Sequence, residues 1–175
     1  GTGTLVAAGL QAEADPGIRF VDVEKVMVQA RTYLERMQKL REEAKRVEEG
    51  LNALHEEFKA KGLQRKNFKE GSVDFDQITM ELLLLEDKIK FMHTKAEERT
   101  KRQHQQLINH VYDLVREAVR AYGQQHKLRG IQVINEFEPA PDEPLPLSVQ
   151  ERKNVLRNVL YFDPSLEITE EILKL

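Results

Sequence analysis

Residues 26–58, VMVQARTYLERMQKLREEAKRVEEGLNALHEEF, decide the fold of this chain. Val26, Tyr33, Leu40, Val47 and Leu54 recur every seven residues. So do Ala30, Met37, Ala44, Leu51 and Phe58. All ten seam positions are apolar or aromatic, and most of what separates them is charged or polar. This is the heptad pattern of a coiled-coil helix. A second seam follows at Phe75, Ile78, Leu82, Leu85, Ile89, Met92 and Ala96. Two such helices joined by a turn form an antiparallel hairpin, the first arm roughly 55–60 Å long at 1.5 Å per residue. A rod of this kind leaves little room for a catalytic pocket and suits a protein that holds other proteins.

Composition agrees. Of 175 residues, 33% are charged and only 6% aromatic, with no Trp, which is closer to a helical rod than to an enzyme core. There is no cysteine, hence no disulfide framework and no thiol chemistry. The net charge is −3 but uneven. Residues 23–129 hold 22 Lys/Arg and 18 Asp/Glu, so the helical region is mildly basic and the remainder acidic. The densest basic cluster is Lys59, Lys61, Arg65, Lys66 and Lys69, with no acid between them. It can attract acidic protein segments or an anionic membrane surface, or it is simply a solvated hairpin tip. Nucleic acid is disfavoured, because the aromatics sit on seams and not among the basic residues.

No stretch reads as spanning a membrane. Residues 1–17 are read as the remnant of a secretory signal or a disordered linker. Ala12-Glu13-Ala14 has the form of a signal-cleavage site.

Working outward, residues 18–23 (IRFVDV) read as a strand after Pro16-Gly17. The first helix starts near Glu24 and runs to about Lys61, with Gly62 as its stop. Residues 62–73 form the tip, and Ser72 or Asp74 caps the second helix, which runs to about His126. Residues 97–106 are wholly polar. They are expected opposite residues 28–37 and mark a change in packing or a bend, or an exposed stretch of helix. Beyond Gly130, residues 131–137 read as a second strand. Residues 138–147 hold four of the six prolines and read as an extended linker. Ser148 to Glu151 matches a capping box for a short helix over 148–157. Residues 159–162 read as a third strand, broken by Asp163-Pro164, and Thr169 opens a short helix. The expected fold is therefore mainly α: a hairpin arm over 24–129, and a small β body built from 18–23 and 130–175 as a three-stranded sheet. So small a sheet has bare edges, and the chain is expected to oligomerise.

The ends carry a resemblance. Residues 18–27, IRFVDVEKVM, look like the opening strand and first helical turn of the Skp/OmpH-like periplasmic chaperones. Residues 159–175, VLYFDPSLEITEEILKL, look like that family's closing strand and helix, with Glu167-Ile168-Thr169 and Ile172-Leu173 matching its pattern. The resemblance implies a homotrimer in the periplasm. Three sheets would join as a β body, involving Ile18, Phe20, Ile131, Val133, Leu160 and Phe162. Three helical tentacles would enclose unfolded outer-membrane proteins without ATP or any other cofactor. Two departures stand out. The pI is near 6.0, where the family is basic, and the proline-rich insertion over 138–158 is longer than the family's usual connection.

Seam residues are core, so a client surface is sought off the seam. Val28, Leu63, Phe68, Val73, Leu83, Leu84 and Phe91 are the candidates, either lining a cavity with weak, replaceable contacts or packing at arms and turn. No metal or catalytic site is read. His55-Glu56-Glu57-Phe58 lacks the second His of a zincin helix, and no phosphate loop or nucleophile elbow is present. The rival readings are a coiled-coil adaptor for one folded partner, and a prefoldin-type chaperone. The latter normally places a β hairpin between its helices, not strands at both ends.

Overall fold

The computed structural model describes residues 17–136, 159 and 161–175. The signal-like segment, the proline-rich linker 138–147, the capping box and helix of 148–157, and Leu160 lie outside the described residues. The order is β1 (Ile18–Asp22), α1 (Val23–Gln29), α2 (Arg31–Arg65), α3 (Val73–Gln125), β2 (Gly130–Ile134), a 3-10 turn (Pro164–Leu166) and α4 (Thr169–Leu173). Helix dominates, and no described helix is long and apolar enough to cross a membrane. The chain divides into two units: Ala30–Val111, and the described residues on either side of that segment.

The flanking unit is built on β1 and β2, which pair in parallel with Ile18 opposite Gly130 and Asp22 opposite Ile134. A parallel pair needs a long crossover, and the helices supply it. The chain leaves α3 through a left-handed residue, Lys127 at φ 51°. Around it Leu128 N–H donates to the Gly123 carbonyl (2.9 Å) and Lys127 N–H to that of Gln124 (3.2 Å). These are the two bonds of a Schellman cap, which ends α3 here. A methyl group on Gly123 would stand 3.3 Å from Ile131 Cδ1, which shows how closely the last turns of α3 approach β2. Val21, Val26, Val115, Ile134, Ile168 and Ile172 are buried and form this unit's core.

Among the described residues the sheet has two strands. Residues 161 and 162 are not in a strand. The third crossing of β1 comes later, where Glu167 makes a single parallel bridge to Phe20 and Ile168 N–H donates to the Phe20 carbonyl (2.8 Å). The cause lies at Asp163. Its carboxylate accepts from Ser165 N–H (2.9 Å) and Oγ (2.8 Å), capping a 3-10 turn that Pro164 opens. Those bonds hold the Asp163 carboxyl below its ordinary range.

In the other unit α2 and α3 run antiparallel. Lys61 pairs with Glu81, and Arg99 with Glu43 (3.5 Å). From Lys61 to Glu43 and from Glu81 to Arg99 are equal steps, so one register holds along the arm. Ser72 caps α3, its Oγ accepting from Phe75 N–H (3.2 Å), and Gly71 adopts φ 81° in the turn.

Three expectations are corrected here. The first helix is two helices, parted at Ala30, whose backbone is extended (φ −61°, ψ 134°). Gly62 does not stop α2, which continues to Arg65. The polar segment 97–106 leaves α3 unbroken and faces the region from Arg36 to Glu43, which overlaps the expected 28–37 only at its end.

Candidate functional site

Two heptad helices pair well only where large side chains meet on both seams. Near the tip they do, and Ile78, Leu82 and Leu85 are buried. Further along, the small side chains of Ala44 on α2 and Ala96 on α3 both border the space between the helices. The helices there enclose an open gap of about 1020 Å³, lined by Leu40, Val47, Leu51, His55, His93 and Ala96 among others. A second space of about 360 Å³ adjoins it and shares Leu40, Glu43 and Gln103. Glu43 spans the opening, accepting from Gln103 Nε2 (3.2 Å) and Arg99 Nη2. No residue of α2 is fully buried.

The off-seam apolar residues divide. Val73 (82% exposed), Leu83 (53%), Leu84 (63%) and Phe91 (63%) stand out on α3, with Met80 (58%) among them. Leu63 is exposed at the end of α2, whereas Phe68 in the turn and Val28 on α1 are half-buried. Val28 belongs to the flanking unit, and the α3 group to the other. Met80 was not among the sequence candidates, although its spacing of seven from Val73 and four from Leu84 is the signal that finds it.

The basic tip is partly spent on internal partners. Lys59 pairs with Glu56 (3.2 Å) and Lys61 with Glu81. The Arg65 guanidinium lies 5.6 Å from the centre of the Phe75 ring. The hydrogen bond from Lys61 holds the Glu81 carboxyl below its ordinary 4.5 and raises Lys61 in turn. Lys66 and Lys69 remain exposed.

The body residues also take different places. Phe20 stacks on Phe162 with ring centres 4.9 Å apart, and Ile131 is half-buried. Ile18 and Val133 are exposed on the sheet, and so is Tyr161 beyond it. Two buried polar residues tie the unit together. Thr169 Oγ1 accepts from Asp22 N–H (3.0 Å) and donates to Glu167 (2.9 Å). The Asp22 carboxylate accepts from Lys25 N–H, capping α1, and from Glu136 N–H, both at 3.1 Å. Lys25 reaches Glu170 across a 2.9 Å ion pair, which raises its pKa.

Among the described residues no group of three His, Asp or Glu is placed to hold a metal. What the arrangement offers is apolar surface on a charged helical arm, and a sheet that exposes Ile18 and Val133 beside Gln132.

A search of curated proteins finds no match to the chain. The family model described as outer membrane protein (OmpH-like) matches residues 17–175, from the strand β1 through α4, and the chain belongs to that family.

Proposed function

We propose that this protein is an ATP-independent holdase that keeps unfolded outer-membrane proteins from aggregating in the periplasm, working as a homotrimer whose arms surround the client. Membership of the OmpH-like family suggests a periplasmic chaperone of outer-membrane proteins. The single observation that carries the finer reading is the group of exposed apolar side chains on α3, from Val73 to Phe91, on a helix otherwise clothed in charge. Exposed apolar groups of this extent on a rod mark an interaction surface. Each is worth little alone, so a client held by them stays mobile and can leave. The trimer is supported by the two-stranded sheet, which is too small to stand alone and carries Ile18 and Val133 on its surface. Lys66 and Lys69 suit a peripheral contact between the tip and an anionic membrane.

The test is aggregation of an unfolded outer-membrane protein, followed by light scattering without nucleotide. Suppression at about one trimer per client supports the proposal. No suppression, with tight binding to one folded envelope protein instead, favours the adaptor. A monomeric mass in solution would remove the enclosing cavity altogether.

A further inference from the structure

The exposed apolar residues of α3 share one outward arc. At about 100° per residue, Val73, Met80, Leu83, Leu84 and Phe91 fall within about 100° of one another around the axis. The arc lies nearly opposite the face that buries Ile78, Leu82 and Leu85. From Val73 to Phe91 only two other residues fall inside it, Asp76 and Asp87, and both are exposed. Around the axis both lie between Leu83 and Met80. The only charge on this face is therefore negative.

The other charges nearby are matched elsewhere. Glu81 pairs with Lys61 across the arm, Lys90 with Glu86 (3.0 Å) and Lys95 with Glu98 (2.8 Å). Asp87 reaches Lys90 only through its field. Lys88 stands outside the arc, beyond Leu84. Among the described residues neither the Asp76 nor the Asp87 carboxylate makes an ion pair. Asp76 is in the first turn of α3, where an acid suits the helix N-terminus on its own account. Asp87 is in mid-helix and has no such use.

An apolar face that carries only carboxylates favours a partner of opposite sign. We propose that it takes unfolded client segments in which apolar residues alternate with Lys or Arg, and disfavours those that carry Asp or Glu instead; this rests on the holdase reading of the same residues. The apolar side chains of such a segment cover Met80, Leu83 and Leu84, and its cations reach Asp76 and Asp87. The two carboxylates are eleven residues apart, roughly 16 Å along the helix. About five residues of extended chain cover that span. Lys and Arg lay their stems along apolar surface with the charge at the tip, so the apolar contact is kept. Lys95 already lies 5.9 Å from the centre of the Phe91 ring, an internal example of a cation resting on this stripe. A second copy of the face is a poor occupant, since it would bring only more acid. The preference runs against the mildly positive balance of the helical region, so it belongs to this face and not to the net field of the arm.

The test uses the full-length protein and three labelled, unstructured peptides. They share one apolar pattern and differ only in carrying Lys, Ser or Glu between the apolar residues. By fluorescence anisotropy at low salt, the Lys peptide is expected to bind about tenfold more tightly than the Glu peptide, the order of two surface ion pairs gained against two repulsions met. In the double variant Asp76→Asn, Asp87→Asn that ratio should fall to about twofold or less, with the Ser peptide unaffected. Asp87→Asn alone, away from the helix end, should move it part of the way. Equal binding of the Lys and Glu peptides, tighter binding of the Glu peptide, a Lys preference that survives both substitutions, or binding of none of the three overturns the proposal. Aggregation of the unfolded outer-membrane protein is followed alongside. Suppression without a charge preference ends this proposal and leaves the holdase reading standing. A preference that the double variant loses, without suppression, does the opposite.

Discussion

Replacing Thr169 with valine keeps its shape and removes one oxygen. That oxygen is the acceptor for the buried Asp22 N–H, and both residues are almost wholly buried. An orphaned buried donor costs about 1–3 kcal/mol, so Thr169→Val should lower the stability of the flanking unit by that amount in urea unfolding. Thr169→Ser, which keeps the hydroxyl, should cost distinctly less. Lys127 gives the opposite expectation. A side chain at φ 51° is strained, and the Schellman cap around it favours glycine. Lys127→Gly should stabilise by about 0.5–1 kcal/mol, read as a rise in melting temperature. Neither residue's role was legible locally. Thr169 reads as a helix opener, but its partner lies 147 residues away. For Lys127, no local feature marks a lysine as the residue that takes the left-handed turn.

At the scale of elements, the heptads made the helices plain, because seven-residue apolar spacing has few other uses. The breaks were less visible. Alanine is the best helix former, so nothing at Ala30 announces an extended residue. Gly62 costs a helix only about 1 kcal/mol, too little to end α2, which runs on to Arg65. The turn therefore lies over 66–72, nearer α3 than expected, and this shifts what faces residues 97–106. The gap is lined by the small side chains of Ala44 and Ala96 and invites filling. Ala96→Leu should stabilise the arm by about 1–2 kcal/mol in thermal unfolding, since an apolar side chain gains roughly that on burial. An unchanged melting temperature would mean that the gap closes in solution. The Lys61–Glu81 pair has a definite pH window. Glu81 is depressed from 4.5, so its contribution is present above that value and lost as pH falls through the lower, folded value. Lys61 is raised from 10.5, so its contribution holds below 10.5 and is lost as pH climbs past the folded value. An NMR titration of the Glu81 carboxyl should return to the ordinary value in Lys61→Met.

For the whole molecule, the end segments were the informative ones. A strand–helix opening and an Ile-Thr closing helix suggested the family, which the match over residues 17–175 bears out. The third strand misled, because Tyr161 and Phe162 have strand-like side chains while Asp163 and Pro164 bend the chain before it can pair. If clients are held by many weak contacts, single serine substitutions at Val73, Met80, Leu83, Leu84 or Phe91 should each weaken holdase activity by about twofold or less, and all five together should abolish it. Complete loss from a single change would point instead to one specific site.

The contact between Asp22 and Thr169 also has a bearing on the order of events in synthesis. β1 is made early and finds β2 only after the whole helical crossover has emerged. Its bond to Thr169 waits longer still. Local contacts close first and distant ones slowly, so the arm can wind while β1 still has an open edge. A chain that ends before Glu167 can pair β1 with β2 but lacks the bridge to Phe20 and the hydroxyl that accepts from the Asp22 N–H. The last stitch of the flanking unit is thus the final turn of the chain, and removal of residues 167–175 should expose Asp22 and the β1 edge to hydrogen exchange.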